Sequence, residues 1–114
     1  MDIKVLFHID ENAKWGLLLA NCRNLLKAAG ENRPEIEVVA NSEAVKGFAG
    51  GCSGADADLM RWLSEAGAGF VACNNALNGL GIRKEQLPPF VRIVPAGVLE
   101  LVLRQAEGFA YIKP

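Results

Sequence analysis

An α/β fold, a three-layer sandwich with a mainly parallel sheet of about five strands, follows from three features of the chain. Short apolar runs alternate with longer stretches whose apolar residues recur at three- and four-residue steps. The short runs are nearly continuous in apolar content, as strands covered on both faces require. Helix-stopping and turn residues, among them Gly30, Pro34, Gly67, Pro88 and Gly108, fall between the segments. At 114 residues the chain has room for one domain, 1–114, and little more.

Ile3 to Ile9 reads as the first strand. Asp10-Glu11-Asn12 then offers short side-chain oxygens for exposed helix amides, and acidic charge for the positive helix end. From about Ala13 to Ala29, Trp15, Leu18, Leu19, Cys22, Leu25 and Leu26 share one helical face, and Gly30 supplies the stop. Glu35 to Ala40 is a second strand, with a short helix opening at Asn41-Ser42 and running to Phe48. Ala49-Gly50-Gly51-Cys52-Ser53-Gly54 is a flexible punctuation. A helix from about Ala55 to Ala66 turns Leu59, Trp62 and Leu63 inward. Gly69 to Cys73 is the third strand, followed by a short helix that starts near Asn75 with Asn74 as its cap. After Pro88-Pro89, Val91 to Val94 is the fourth strand. Pro95-Ala96-Gly97 starts the last helix, where a proline in the first turn loses nothing, and Val98, Leu101, Val102 and Gln105 trace it. Phe109 to Ile112 closes the sheet. Right-handed crossovers place helices on both faces.

The balance of residues excludes several functions. With 51% hydrophobic and 22% charged residues and a net charge of −1, the chain has no basic footprint for nucleic acid and no polybasic attraction to membranes. Its start, MDIKVLFHIDENAK, is not a basic segment followed by an apolar one, and no apolar run approaches a bilayer span. A cytoplasmic location is the expectation. His8 is the one histidine and no C-x-x-C pair occurs, so neither a metal site nor a cofactor is expected. Gly50 to Gly54 lacks the lysine and spacing of a phosphate loop, and the first strand does not lead into G-x-G-x-x-G.

Ligands of open α/β sheets bind beyond the carboxyl ends of the strands, where strand order reverses. Four such ends are nominated: His8-Ile9-Asp10, Asn41-Ser42, Cys73-Asn74-Asn75 and Pro95-Ala96-Gly97. Of these only Cys73 is a strong nucleophile. A thiol at a helix amino end faces unpaired amides, a setting that depresses a cysteine pKa from about 8.5 toward 7. Two readings of Cys73 stand at this point: a nucleophile or persulfide carrier, and a buried packing thiol. Cys52, in its glycine-rich loop, is a resolving partner or an incidental thiol. A Cys52–Cys73 redox pair would need Cα atoms within about 7 Å. Cys22 sits on an apolar helix face and reads as packing. His8 either supports Cys73 or is a hydrogen-bonded structural residue; Asn74 and Asn75 are turn and cap residues or substrate contacts. Trp15 and Trp62 read as core or subunit interface.

The segments VLFHIDENAKWGLLLANCRNLLKA, IEVVANSEAVKGF, GFVACNNALNGLGI and VRIVPAGVLELVLRQAEGFAYIKP together resemble the DsrE/DsrF-like family over nearly the whole chain. That resemblance implies a flavodoxin-like fold, a sulfur carrier or sulfurtransferase-type subunit, and a transient persulfide on Cys73; the strand-end reading adds His8, Asn41, Asn74, Asn75 and Cys52 as substrate-binding or supporting residues. It also implies homo-oligomers or hetero-oligomers built on trimers or hexamers, with the cysteine near subunit boundaries; a homo-oligomer and a sulfur donor or acceptor protein are the expected partners. Relay-active relatives carry basic residues in the short helix after the cysteine. Here that helix reads Asn75-Ala76-Leu77-Asn78-Gly79-Leu80, and the first basic residues are Arg83 and Lys84. The alternative expectation is a non-catalytic oligomeric module that binds a small ligand in the strand-end crevice.

Overall fold

The computed structural model describes residues 2–114. Five strands, β1 (Lys4–Ile9), β2 (Glu35–Ala40), β3 (Gly69–Cys73), β4 (Val91–Val94) and β5 (Ala110–Ile112), form one parallel sheet in the order β4-β3-β2-β1-β5. The chain steps outward from β1 to β4 and then crosses back to lay β5 on the far side of β1. Right-handed connections therefore put the first three crossovers on one face and the last on the other. The helices are α1 (Trp15–Ala29), α2 (Gly54–Glu65), α3 (Asn74–Gly79) and α4 (Gly97–Ala106). Short 3₁₀ segments occupy Asn12–Lys14, Ser42–Ala49 and Lys84–Gln86.

Side chains alternate across each strand, so each face of the sheet collects its own core. Val5, Phe7, Ile9, Val38, Ala40, Phe70 and Ala72 meet Trp15, Leu18, Leu19 and Cys22 of α1, Met60 and Leu63 of α2 and Leu77 of α3. At the centre lies an aromatic cluster: Trp15 edge-on to Phe48 at 5.1 Å, Phe48 to Phe70 at 6.4 Å and Phe70 to Phe90 at 5.7 Å between ring centroids. The Trp15 indole is buried with its Nε1 donating to Ala44 O at 2.9 Å, which meets the requirement that a buried N–H find a partner. The other face is thinner: Leu6, Val39, Val71 and Val94 of the sheet meet Leu101 of α4 and Phe109.

Several local expectations are corrected. Asp10, Glu11 and Asn12 do not cap α1: a 3₁₀ turn intervenes, no side-chain cap bond forms, and Asn12 Nδ2 instead donates to Gly51 O at 2.7 Å. Met60, not Trp62, fills the inward position of α2, and Trp62 is 52% exposed. Pro95 precedes the helix, with Ala96 as the cap and Gly97 as the first helical residue. Val98 and Val102 face outward, because only Leu101 of that apolar stripe reaches the sheet.

Beneath α4 lies a charge cluster that no apolar pattern announces. Glu37 of β2 and Glu100 of α4 are both buried. Arg92 Nη2 donates to Glu37 Oε1 at 2.9 Å and to Glu100 Oε2 at 2.8 Å, while Arg104 Nε donates to Glu100 Oε2 at 2.9 Å and stands 3.3 Å from Glu37 Oε2. Burial first, then a hydrogen bond and charge repulsion from Glu100, push Glu37 up to about 7. Burial also works against Glu100, but hydrogen bonds from Glu37, Arg92 and Arg104 outweigh it and hold that carboxyl down to about 2. Of the two, Glu37 is therefore the carboxyl that takes up a proton first as pH falls.

Candidate functional site

The carboxyl ends of β1, β2 and β3 bring three polar side chains to the face covered by α4. His8 pairs with Val39 in the sheet register, which fixes it on the same face as Val39 and Val71. Asn41 follows β2, its amide donating to Ile9 O at 3.1 Å. Cys73 is the last residue of β3, in register with Val94. Ser42, directly after Asn41, is the one non-glycine residue with positive φ (52°) among the described residues, where the chain turns sharply off the strand end.

His8 is held from both sides. Its Nε2 lies 2.9 Å from Asn41 Oδ1 and its Nδ1 lies 2.6 Å from the Tyr111 hydroxyl. An amide oxygen only accepts, so Nε2 carries a hydrogen, and in the neutral ring Nδ1 accepts from the phenol. Tyr111 comes from β5, across the point where strand order reverses. It is a site residue that the sequence reading missed. Nearby, Lys113 Nζ pairs with Asp10 Oδ2 at 3.1 Å.

Cys73 lies next in this row. A Cβ added to Gly97 would stand 3.2 Å from Cys73 Cβ and 3.2 Å from Asn41 Cβ, so those two side chains leave the sheet side by side under the first residue of α4. Absence of a side chain on Gly97 permits this close approach. The first amides of α4 have no intrahelical acceptor, so the helix presents its positive end here. Cys73 is also the residue from which α3 starts, and its side chain makes no cap bond. This corrects the expected cap: Asn74 is already helical. Asn74 is half-buried and Asn75 is exposed. Cys73 as a whole is 6% exposed.

The other cysteines stand apart. Cys52 packs against the opposite core, and its thiol donates to Gly47 O at 3.3 Å, so it is half-buried and tethered where an exposed, mobile loop was expected. Burial, then the charge of Asp56, raises its pKa. It lines a cleft of about 660 Å³ between α2 and the Pro88-Pro89-Phe90 segment. Cys52 and Cys73 are both free thiols on opposite faces of the sheet. Cys22 is sealed in the core, and burial pushes its thiol up to about 12, consistent with packing. Among the described residues no helix is long and apolar enough to cross a membrane.

Comparison with known proteins agrees with this architecture. The family model described as DsrE/DsrF-like matches residues 4–114. A search of curated proteins gives no match. Among solved structures, the chain is similar to a protein of unknown function, MTH1491 from Methanobacterium thermoautotrophicum, with 37% identity, a TM-score of 0.87, and coverage of 99% of this chain and 100% of that one. Sequence model and fold coincide over the same residues, and the chain belongs to the DsrE/DsrF-like family.

Proposed function

We propose that the protein is an intracellular sulfur carrier that holds a transient persulfide on Cys73. The observation that carries this reading is the placement of Cys73 beside Asn41 and under the amino end of α4, in line with the His8–Tyr111 pair. A sulfur anion there would lie near the unpaired first amides of α4 and the Asn41 side chain. Family membership supports the same chemistry. In the loading step, the Cys73 thiolate attacks the outer sulfur of a small hydropersulfide, R–S–SH. A new S–S bond forms at Cys73, the S–S bond of the donor breaks, and RS⁻ leaves and takes up the proton lost from the thiol. One sulfane sulfur moves and nothing is net oxidised or reduced. Because Cys73 is buried, a small donor suits it better than a folded one.

Mass spectrometry after incubation with glutathione hydropersulfide tests the reading. One added sulfur, about 32 Da, should map to Cys73 through a new S–S bond and vanish in Cys73→Ser. If the wild type stays unloaded, or the variant loads equally, the carrier reading fails and the small-ligand module replaces it.

The working unit in this proposal is a homo-oligomer, a trimer or hexamer. Val98, Leu99, Val102 and Leu103 form an exposed apolar stripe on α4, between 48% and 64% exposed, on the helix whose amino end covers Cys73. Contiguous apolar surface of this kind marks an interaction site. Light scattering should give a multiple of 12.2 kDa for the wild type. Val98→Lys combined with Val102→Lys should yield a folded monomer; an unchanged mass would place the contact elsewhere.

A further inference from the structure

We propose that Tyr111 and His8 are positioning residues that lock the Asn41 amide so that its N–H group donates to the terminal sulfur of a Cys73 persulfide. This rests on the carrier reading and adds the groups that hold the transferred atom. Asn41 Oδ1 is engaged by His8 Nε2 at 2.9 Å, which fixes the amide plane. Strand order puts β1 on one side of β2 and β3 on the other, so an amide whose oxygen faces His8 turns its nitrogen away from β1, toward Cys73. Asn41 and Cys73 leave the sheet side by side, each with its Cβ 3.2 Å from the place of a Gly97 Cβ. In the unloaded protein Asn41 Nδ2 makes no hydrogen bond with the Cys73 thiol among the described residues. A second sulfur extends the side chain by about 2 Å, the length of an S–S bond, and brings the terminal atom toward that free donor.

The Tyr111 hydroxyl, 2.6 Å from Nδ1, secures the arrangement from the far side. With the phenol donating to Nδ1, the neutral imidazole carries its hydrogen on Nε2, the tautomer that Asn41 Oδ1 requires. Protonation of His8 leaves that Nε2–H in place, so the amide keeps its orientation in either state. Asn41 touches the transferred sulfur, and His8 and Tyr111 act through Asn41.

Two measurements test the proposal. The first compares, in one set of variants, sulfur transfer from glutathione hydropersulfide to Cys73 with alkylation of Cys73 by iodoacetamide, which adds no terminal sulfur. Asn41→Ala should slow transfer about tenfold, the effect of one charge-assisted hydrogen bond, and leave alkylation within about twofold. Tyr111→Phe, which keeps the ring, should slow transfer about threefold with alkylation again unchanged, as for loss of a weaker supporting bond. Equal slowing of both reactions would mean a general disturbance of the thiol and would overturn the proposal. Wild-type transfer in both variants would also overturn it while leaving the carrier reading intact; failure of the wild type to load removes both. The second measurement needs no loading. His8 is the single histidine, so its ¹⁵N spectrum is unambiguous. The neutral protein should show Nε2–H, and Tyr111→Phe should mix the tautomers. A wild type with hydrogen on Nδ1 would reverse the Asn41 amide and defeat the inference.

Discussion

Gly47→Ala should lower the unfolding free energy by about 3 kcal/mol, the upper range for overpacking, and the melting temperature by about 10 °C. A Cβ at that position would stand 2.6 Å from Cδ1 and 2.8 Å from Cε2 of Trp15, separations that real Cβ atoms do not tolerate. Trp15 cannot give way cheaply. It is 1% exposed, its Nε1 is committed to Ala44 O, and Phe48 and Phe70 stand against its ring. Any shift would break the hydrogen bond or open the aromatic cluster. Gly54→Ala is the matched control, since a Cβ there meets nothing within 4 Å; its stability should stay within about 0.5 kcal/mol of wild type. Thermal and urea denaturation of the two variants decide the matter. A Gly47→Ala protein as stable as Gly54→Ala would mean that the core around Trp15 is looser than the contacts imply.

Glu37→Gln should stabilise the protein at pH 8 by about 2 kcal/mol and leave it nearly unchanged at pH 5, following proton linkage. The sign runs against the usual effect of removing a buried ion-pair partner. Glu37 is raised from 4.5 to about 7 in the folded protein. Its protonated form is therefore favoured by folding: that stabilisation is fully present below pH 4.5 and is lost as pH rises through 7. Glu100 has the opposite sense, held down to about 2 from 4.5, so its contribution is present above pH 4.5 and is lost as pH falls through 2. Together they place the cluster's best pH near 5. The Glu37 Oε2 atom is buried without a hydrogen-bond partner, with Arg104 Nε 3.3 Å away. Glutamine mimics that protonated carboxyl and cannot ionise. Urea titrations at pH 5, 6, 7 and 8 should show a downward slope for wild type and a flatter one for the variant. A variant less stable than wild type at pH 8 would mean that both carboxylates are ionised and compensated by Arg92 and Arg104.

Much of this fold is written in local sequence. Glu35–Ala40, Gly69–Cys73 and Val91–Val94 coincide with their expected bounds, since short apolar runs bounded by proline and glycine have few other uses. Gly30, with φ of 58°, ends α1 for the reason that glycine usually does. What local pattern does not carry is which side of an amphipathic helix finds a partner. Trp62, Val98 and Val102 lie on apolar stripes broader than the surface available to them, so they face outward. Long-range pairing is equally invisible. Tyr111 became a site residue only because β5 returns to the edge of β1, and Glu37 became buried only because Arg92 and Arg104 converge on it from distant segments. His8, Asn41 and Cys73 were nominated as strand ends, and the sheet order then set them in one row. The same order separates Cys52 from them, a fact that loop composition has no means to convey.

Three helices roof one side of the sheet, whereas a single ten-residue helix roofs the other. Local opening is cheapest where the fewest apolar contacts must separate, and α4 seats only Leu101 in its buried cluster. Its amino end also lies against the Cys73 side chain. Entry to that sulfur would therefore depend on displacing one short helix, which its ion pairs to Glu37 and Arg92 hold against the sheet.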